Sequence, residues 1–465
     1  MASKKSTKKK QTEKKSSTGK NILVAILSLI IGVLAGYVLA NSFARVNLEF
    51  TLNGKNHQKV GLNSEYKEKG VVCTFKGEDY SSMVTTTYYD SKGDVCDEII
   101  TTSLTTYYVE YKIETEKFSY KEIRLVSIVE TEDLEINFIM FESNYAGDCI
   151  YIKAGDTDIL VDAGANKADA THIASYLTDS TVDWHSYVED NKLEYVIATH
   201  AHEDHIAALV GKKDGDKRNG ILTTFEVETL IDFPKTNSKT ALYNEYNNIV
   251  NELVESGKTT HYNALECYNN ENGASRIIEV AVGIEIEILY NYYYENETKN
   301  ENNYSVCFML RRGDEQYLFT GDLEGEGEEY LVDNNDLDEV YLFKLGHHGS
   351  ETSTSDVLLS EIKPKVAVAT CAAFTSEYTK NRDVMFPSKN AIFNLSKHNV
   401  EHLYVSRMLS NDAIDFGDQE TVAANGYIVV TSNLTGTSIY CSNDSRDFYE
   451  FDIFTQYRTW TVAGN

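Results

Sequence analysis

Residues 199–205 read THAHEDH, which sets His200, His202, Asp204 and His205 on the turn between the β-rich run EYVIAT and the helix-like HIAALVG. Residues two apart on an extended backbone point the same way, so His200 and His202 face one point while Asp204 and His205 turn toward a second. Imidazole and carboxylate donors suit zinc or another divalent first-row ion, and an open coordination position leaves room for water. Four unrelated surface residues would not account for the spacing.

From about residue 134, strands alternate with helical stretches: INFIMF, DCIYIKAG, DILVDAGA, a helix near Ala168–Leu177, then EYVIAT. That alternation predicts a layered α/β domain. Two later strand ends carry further ligand types, Asp322 in QYLFTGD and His347 and His348 in EVYLFKLGHHGS. THAHEDH, FTGD and HHGS in this order resemble the metallo-β-lactamase superfamily. NYAGDCIYI, DILVDAGA, NNYSVCFML, YLFTGDLE and LGHHGS are most similar to the hydrolase domain of ComEC-type competence proteins. With PSKNAIFNLSKHNVEHLYVS, the resemblance covers nearly all of residues 134–435.

The resemblance implies an αββα sandwich over residues 134–465 and a site for two divalent ions, zinc with manganese as the alternative. In it His200 and His202 bind the first ion, Asp204, His205 and His347 the second, and Asp322 bridges them. Asp148, Asp162 and Ser305 match positions that brace the ligands. Asp204 and His348 take catalytic parts, with His348 protonating the leaving oxygen or holding a phosphate oxygen. This chain departs from the pattern twice. Many competence-type domains carry Asp where His202 stands, and His261 is the sole histidine between His205 and Asp322 to complete the first ion's set. His172, His185, His398 and His402 lie outside every motif and are expected to have structural or surface roles.

The N-terminus sets an expected location. Residues 1–20 hold eight Lys against one Glu, leaving −36 on the rest of a chain whose formal net charge is −29. Asn21 to Phe43 follows with no charge, long enough as a helix to cross a ~30 Å hydrocarbon core. Lysines before the span predict a single-pass anchor with the N-terminus cytoplasmic and the remainder outside; a cleaved signal peptide and a secreted protein are the alternative.

Residues 44–130 alternate short Thr-, Tyr- and Val-rich runs (VNLEFTL, VVCTFKG, VTTTYYD, EIITTSL, YYVEYKI, EIRLVSIVE) with polar turns, predicting a small antiparallel sandwich. Their order resembles the Ig-like repeats of bacterial surface proteins, which space or present a neighbouring domain. Cys73 and Cys96 fall in this stretch and are candidates for a bridge. The biased segment at 290–303, YNYYYENETKNENN, reads as a surface loop.

The ComEC-type resemblance implies a phosphodiesterase in which a hydroxide held between the metals attacks phosphorus. The expected partner is a phosphorylated substrate, such as a cell-envelope polymer. A competence-type extracellular nuclease is the alternative, and a non-catalytic surface binding protein a further one. Nucleic-acid affinity rests on Lys and Arg neutralising phosphates, and the cations near the motifs are few: Lys212, Lys213, Arg311, Arg312 and Lys344. Binding to long nucleic acid is therefore not expected.

Overall fold

The computed structural model describes residues 48–461 apart from 55, 65, 142–144, 216 and 411–419. The basic tail at 1–20 and the apolar run at 21–43 lie outside the described residues. Among those described, no helix is long and apolar enough to cross a membrane. The chain divides into two compact units, Met1–Ile128 and Val129–Asn465.

The described part of the first unit is all β. Leu48–Leu52, Val71–Phe75 and Glu78–Asp79 form one antiparallel sheet. A five-stranded sheet runs in the order His57–Gly61, Ser119–Val129, Thr106–Glu114, Thr85–Tyr89, Val95–Cys96. Period-two alternation turns Tyr107, Val109 and Tyr111 inward, where they meet Val126 and Ile128. EIITTSL at 98–104 forms no strand; its Thr101 carbonyl instead accepts the Asn63 amide at 2.8 Å. Cys73 and Cys96 sit in different sheets and both are free thiols, so the candidate bridge is not formed.

The second unit stacks two eight-stranded mixed sheets. The first runs Thr260–Asn263, Glu226–Asp232, Lys192–Ile197, Thr157–Val161, Ile150–Ala154, Leu134–Phe138, Ile428–Asn433, Gly436–Cys441. The second runs Ile277–Ala281, Ile284–Ile288, Phe308–Arg312, Glu315–Phe319, Leu342–Lys344, Val366–Ala373, His402–Leu409, Thr421–Ala423. Alternate side chains of the second sheet serve two cores. Phe308, Leu310, Phe319, Val366 and Val368 face the first sheet's Ile136, Phe138, Ile150 and Ile152. Met309, Leu318, Ala367 and Ala369 face Leu358, Leu359, Ile392 and Leu395 of the covering helices Asp356–Ile362 and Lys389–Lys397. Val366–Ala373 is buried along its whole length, as a strand covered on both faces must be. Helices Asp169–Leu177, Glu203–Val210 and Ala241–Glu255 cover the other face of the first sheet. The layering is that of the expected αββα sandwich.

The segment at 290–303 is a surface loop only at its middle, where Glu295, Glu297 and Lys299 are exposed; its two ends are buried. Asn291, Tyr293, Tyr294, Glu301, Asn302 and Asn303 are buried. Its asparagines make short turns self-sufficient: Asn291 and Asn300 accept the amides of Tyr293 and Asn302, and Asn291 Nδ2 donates to the Asn303 and Ser305 carbonyls. Those bonds give backbone groups at the buried ends their partners, which lets a polar composition pack there.

Candidate metal centre

Parallel pairing brings the motif-bearing strand ends together. Val161 is level with Ile197, so Asp162 and the 198–205 turn leave neighbouring strands side by side. Phe319, Lys344 and Val368 are likewise in register, placing Asp322, His347, His348 and Thr370 just beyond them. The site thus lies off the carboxyl ends of parallel strands, where open α/β sheets bind ligands. His202 is the extended residue that starts helix Glu203–Val210, so Asp204 and His205 occupy its first turn. Gly164 makes room for that turn, since a Cβ there would meet the Asp204 carbonyl oxygen at 1.6 Å. Asp162, His347 and His348 all hold positive φ, at 55°, 46° and 55°. Non-glycine residues stay in that region only where their surroundings over-determine them.

One half of the site is tightly drawn. Asp204, His205, Asp322 and His348 offer one ligand atom each, all within 4.8 Å of one another. His348 Nε2 lies 3.4 Å from Asp204 Oδ2 and 3.6 Å from Asp322 Oδ2. His205 Nε2 lies 3.2 Å from Asp322 Oδ2 but not in hydrogen-bond geometry. His205 Nε2, His348 Nε2 and both Asp322 carboxylate oxygens are buried without a hydrogen-bond partner. Four orphaned donor atoms of this chemistry fit a divalent cation. The opposite ring nitrogens are held from behind. Asp162 Oδ2 lies 2.7 Å from His205 Nδ1, and Asp148 Oδ1 lies 3.3 Å from His348 Nδ1. Asp148 is itself bound by Lys344 Nζ at 2.7 Å and by the Thr370 hydroxyl, and Asp162 by the Thr199 amide and hydroxyl.

The other half is looser. His200 Nε2 is 3.0 Å from His202 Nδ1 and 4.0 Å from Asp322 Oδ2. Ser305 Oγ accepts the Asp322 amide at 3.0 Å and lies 3.5 Å from His200 Nδ1. His261 does not reach this half; its Nε2 pairs with Asp232 Oδ1 at 2.9 Å on the edge strand.

The two adjacent histidines exchange the places expected for them. His348, read as the residue beside a ligand, points into the tight group, whereas His347 stays half-exposed with Nε2 3.9 Å from Asp322 and Nδ1 3.4 Å from Glu324 Oε1. Nothing in the string HHGS says which ring turns inward; the left-handed backbone decides it.

Charge is concentrated here. Despite burial, His205, His348 and His347 hold the Asp322 carboxyl well below its ordinary range, and His348 and His205 do the same for Asp204. Burial alone lowers the His348 imidazole, yet Asp322 and Asp148 lift it to about 10. Burial likewise opposes the His205 proton, and Asp322 and Asp162 overcome it. His200, buried beside His205, is held well below the imidazole range.

A cavity of about 700 Å³ opens over the centre, lined by Tyr145, Ala146, Ala165, Asn166, His202, Glu203, Asp204, His347, Glu377 and Tyr378. The sequence motifs missed Glu377 and Tyr378, 29 and 30 residues past His348 in a stretch without periodicity. Glu377 accepts the Ala146 amide at 2.9 and 3.1 Å, and burial pushes its carboxyl up to about 7. Three of the five cations near the motifs are engaged within the fold. Lys344 is buried against Asp148, Arg312 donates inward to the Glu132 carbonyl, and Arg311 pairs with Glu287.

Residues 144–211 and 298–372 match the family model of the metallo-beta-lactamase superfamily. The chain is 37% identical over 71 residues to recombination protein 2 of Haemophilus influenzae, covering 15% of this chain and 9% of that protein. It is 28% identical over 104 residues to ComE operon protein 3 of Bacillus subtilis, covering 22% and 12%. The chain thus spans about a tenth of the length of the curated relatives it matches. Among solved structures, the metallo-beta-lactamase fold protein YhfI from Bacillus subtilis aligns over 59% of this chain and 96% of its own, at 12% identity and a TM-score of 0.36.

Proposed function

The chain carries a hydrolase domain of the metallo-beta-lactamase superfamily, ComEC-like in its motifs, and from that premise we propose that it is a phosphodiesterase acting on a small or envelope-linked phosphorylated substrate. The observation that supports this most is the set of orphaned atoms, His205 Nε2, His348 Nε2 and the two Asp322 oxygens, buried below an open cavity. Asp204, His205, Asp322 and His348 would hold one ion, and His200 and His202 a second beside Asp322; zinc suits both sets, with manganese the alternative. When bound, such ions supply a nucleophile from water at neutral pH and offset charge developing on phosphoryl oxygens.

The chain's own side chains do the rest. Asp162 and Asp148 fix the ring orientation of His205 and His348, leaving Nε2 free on each. His347 lines the cavity with Nδ1 near Glu324, and is the group to hold or deliver a proton at the leaving oxygen. In this reading the lysine-rich tail and apolar run anchor the chain with the hydrolase outside, and the β unit is an Ig-like spacer.

The likeness to a recombination protein and a competence operon protein favours a second reading, an extracellular nuclease. The burial of Lys344 and Arg312 and the net charge of −29 weigh against it.

The test is metal analysis of the detergent-solubilised chain alongside turnover of bis(4-nitrophenyl) phosphate, 4-nitrophenyl phosphate and duplex DNA. About two equivalents of divalent metal and preference for the small diester are expected. A metal-loaded protein that leaves the diester intact would end the phosphodiesterase reading, and preferential cleavage of DNA would replace it with the nuclease.

A further inference from the structure

The wall of the cavity above the metal centre has an unusual make-up for a site that takes phosphorylated substrates. Two tyrosines reach it while largely exposed, Tyr145 at 57% and Tyr378 at 59%. Two carboxylates that belong to no metal group, Glu203 and Glu377, share the lining. No Lys or Arg stands among the described residues of that wall. No fixed cation there offers a second phosphate or a carboxylate group a partner, and the two acids disfavour either.

Tyr378 and Glu377 are also held in place. Tyr378 donates its hydroxyl to Asp204 Oδ2 at 3.3 Å, and its ring rests 5.2 Å from that of Phe386. Phe386 in turn packs on the rings of His347 and His348, at 5.8 and 6.0 Å. Both Glu377 oxygens are fixed by the Ala146 amide. Tyrosines and carboxylates around one space, with no Lys or Arg among the described lining residues, make a receptor for a cation carried by the ligand. A soft, weakly hydrated alkylammonium group suits tyrosine rings best.

Resting on the phosphodiesterase reading above, we propose that Tyr145, Tyr378, Glu203 and Glu377 form a subsite for an alkylammonium group carried by the substrate, which is a zwitterionic phosphodiester of the amino-alcohol type. The phosphate faces the metal centre and the ammonium its aromatic and acidic wall.

The experiment compares two diesters cleaved by the full-length, metal-loaded chain: 4-nitrophenyl phosphorylcholine and its neutral isostere, the 3,3-dimethylbutyl 4-nitrophenyl diester. The choline diester is expected to have a kcat/KM several-fold above the isostere, about two- to fivefold for each exposed cation–π contact. In Tyr378→Ala and Glu377→Gln proteins that ratio falls toward one, and Tyr145→Ala serves if either variant does not fold. Equal cleavage of the two diesters overturns the subsite and leaves the phosphodiesterase standing. If neither diester is cleaved, the phosphodiesterase reading fails, and binding of tetramethylammonium measured by calorimetry decides the subsite alone. Saturable binding weakened in the Tyr378→Ala protein supports it, and no binding rejects it.

Discussion

The two halves of the metal centre share Asp322 and differ in how they are built. In the half formed by Asp204, His205, Asp322 and His348, each histidine has a buried carboxylate behind its Nδ1, and one of those carboxylates is itself clamped by Lys344 and Thr370. In the half of His200 and His202 the two rings turn their nitrogens toward each other at 3.0 Å, and the support behind His200 Nδ1 is hydroxyl only, Thr199 at 3.2 Å and Ser305 at 3.5 Å. Supporting partners set ring orientation and ligand basicity. The first half is therefore preorganised in the chain alone, whereas the rings of the second must separate to share an ion.

Replacing the shared residue has the largest expected effect. Asp322→Ala removes the one carboxylate that both halves approach, and activity should fall on the order of a thousandfold or more. Metal analysis should show loss from both halves. A full metal complement in that protein would separate the halves and break the comparison.

His348→Ala and His347→Ala sharpen it next. The first takes an inward ligand from the braced half, so one equivalent of metal should be lost along with turnover. The second should keep its metal while turnover falls by about 10²–10⁴-fold, the range of a lost general acid. The opposite pattern would return His347 to the ligand role that the motif suggests.

The braced half was legible as residue types and not as geometry. THAHEDH and FTGD carried the ligands because side-chain chemistry at fixed offsets is a local property, and period-two apolar runs carried the strands that aim them. The inward histidine depended on positive φ at positions 347 and 348, which no glycine announces. Burial of the two ends of 290–303 was not legible because asparagines satisfying their own turns look in sequence like a solvated loop. Lys344 looked like a free cation because its partner, Asp148, is 196 residues earlier in the chain. Lys344→Met should accordingly cost stability, about 3–5 kcal/mol for leaving one member of a buried ion pair unpartnered. A denaturation midpoint unchanged from wild type would show that Asp148 finds enough support from Thr370 and His348.

The smallest expected effect is a pH dependence confined to the braced half. Asp148, Asp204 and Asp322 have folded values below the ordinary 3.8, so their contribution to the metal-free protein is present above that pH and lost as pH falls through the folded values. His348 moves the other way, from 6.5 to about 10, so its contribution is complete below 6.5 and fades as pH rises toward 10. His205 is raised in the same sense. The metal-free centre is best satisfied between those limits, where protons on His205 and His348 stand in for a cation. A divalent ion must displace those protons, and it does so more readily as pH rises. Adding zinc to metal-stripped protein should therefore raise the melting temperature more at pH 8.5 than at pH 5.5, by a few degrees for each tenfold gain in affinity. In the Asp162→Asn protein, where His205 loses its carboxylate partner, that difference should shrink. An increment that instead grew toward acid pH would mean that the protons and the metal do not compete for these two rings, and the braced half would then be a hydrogen-bonded cluster with the ion bound elsewhere.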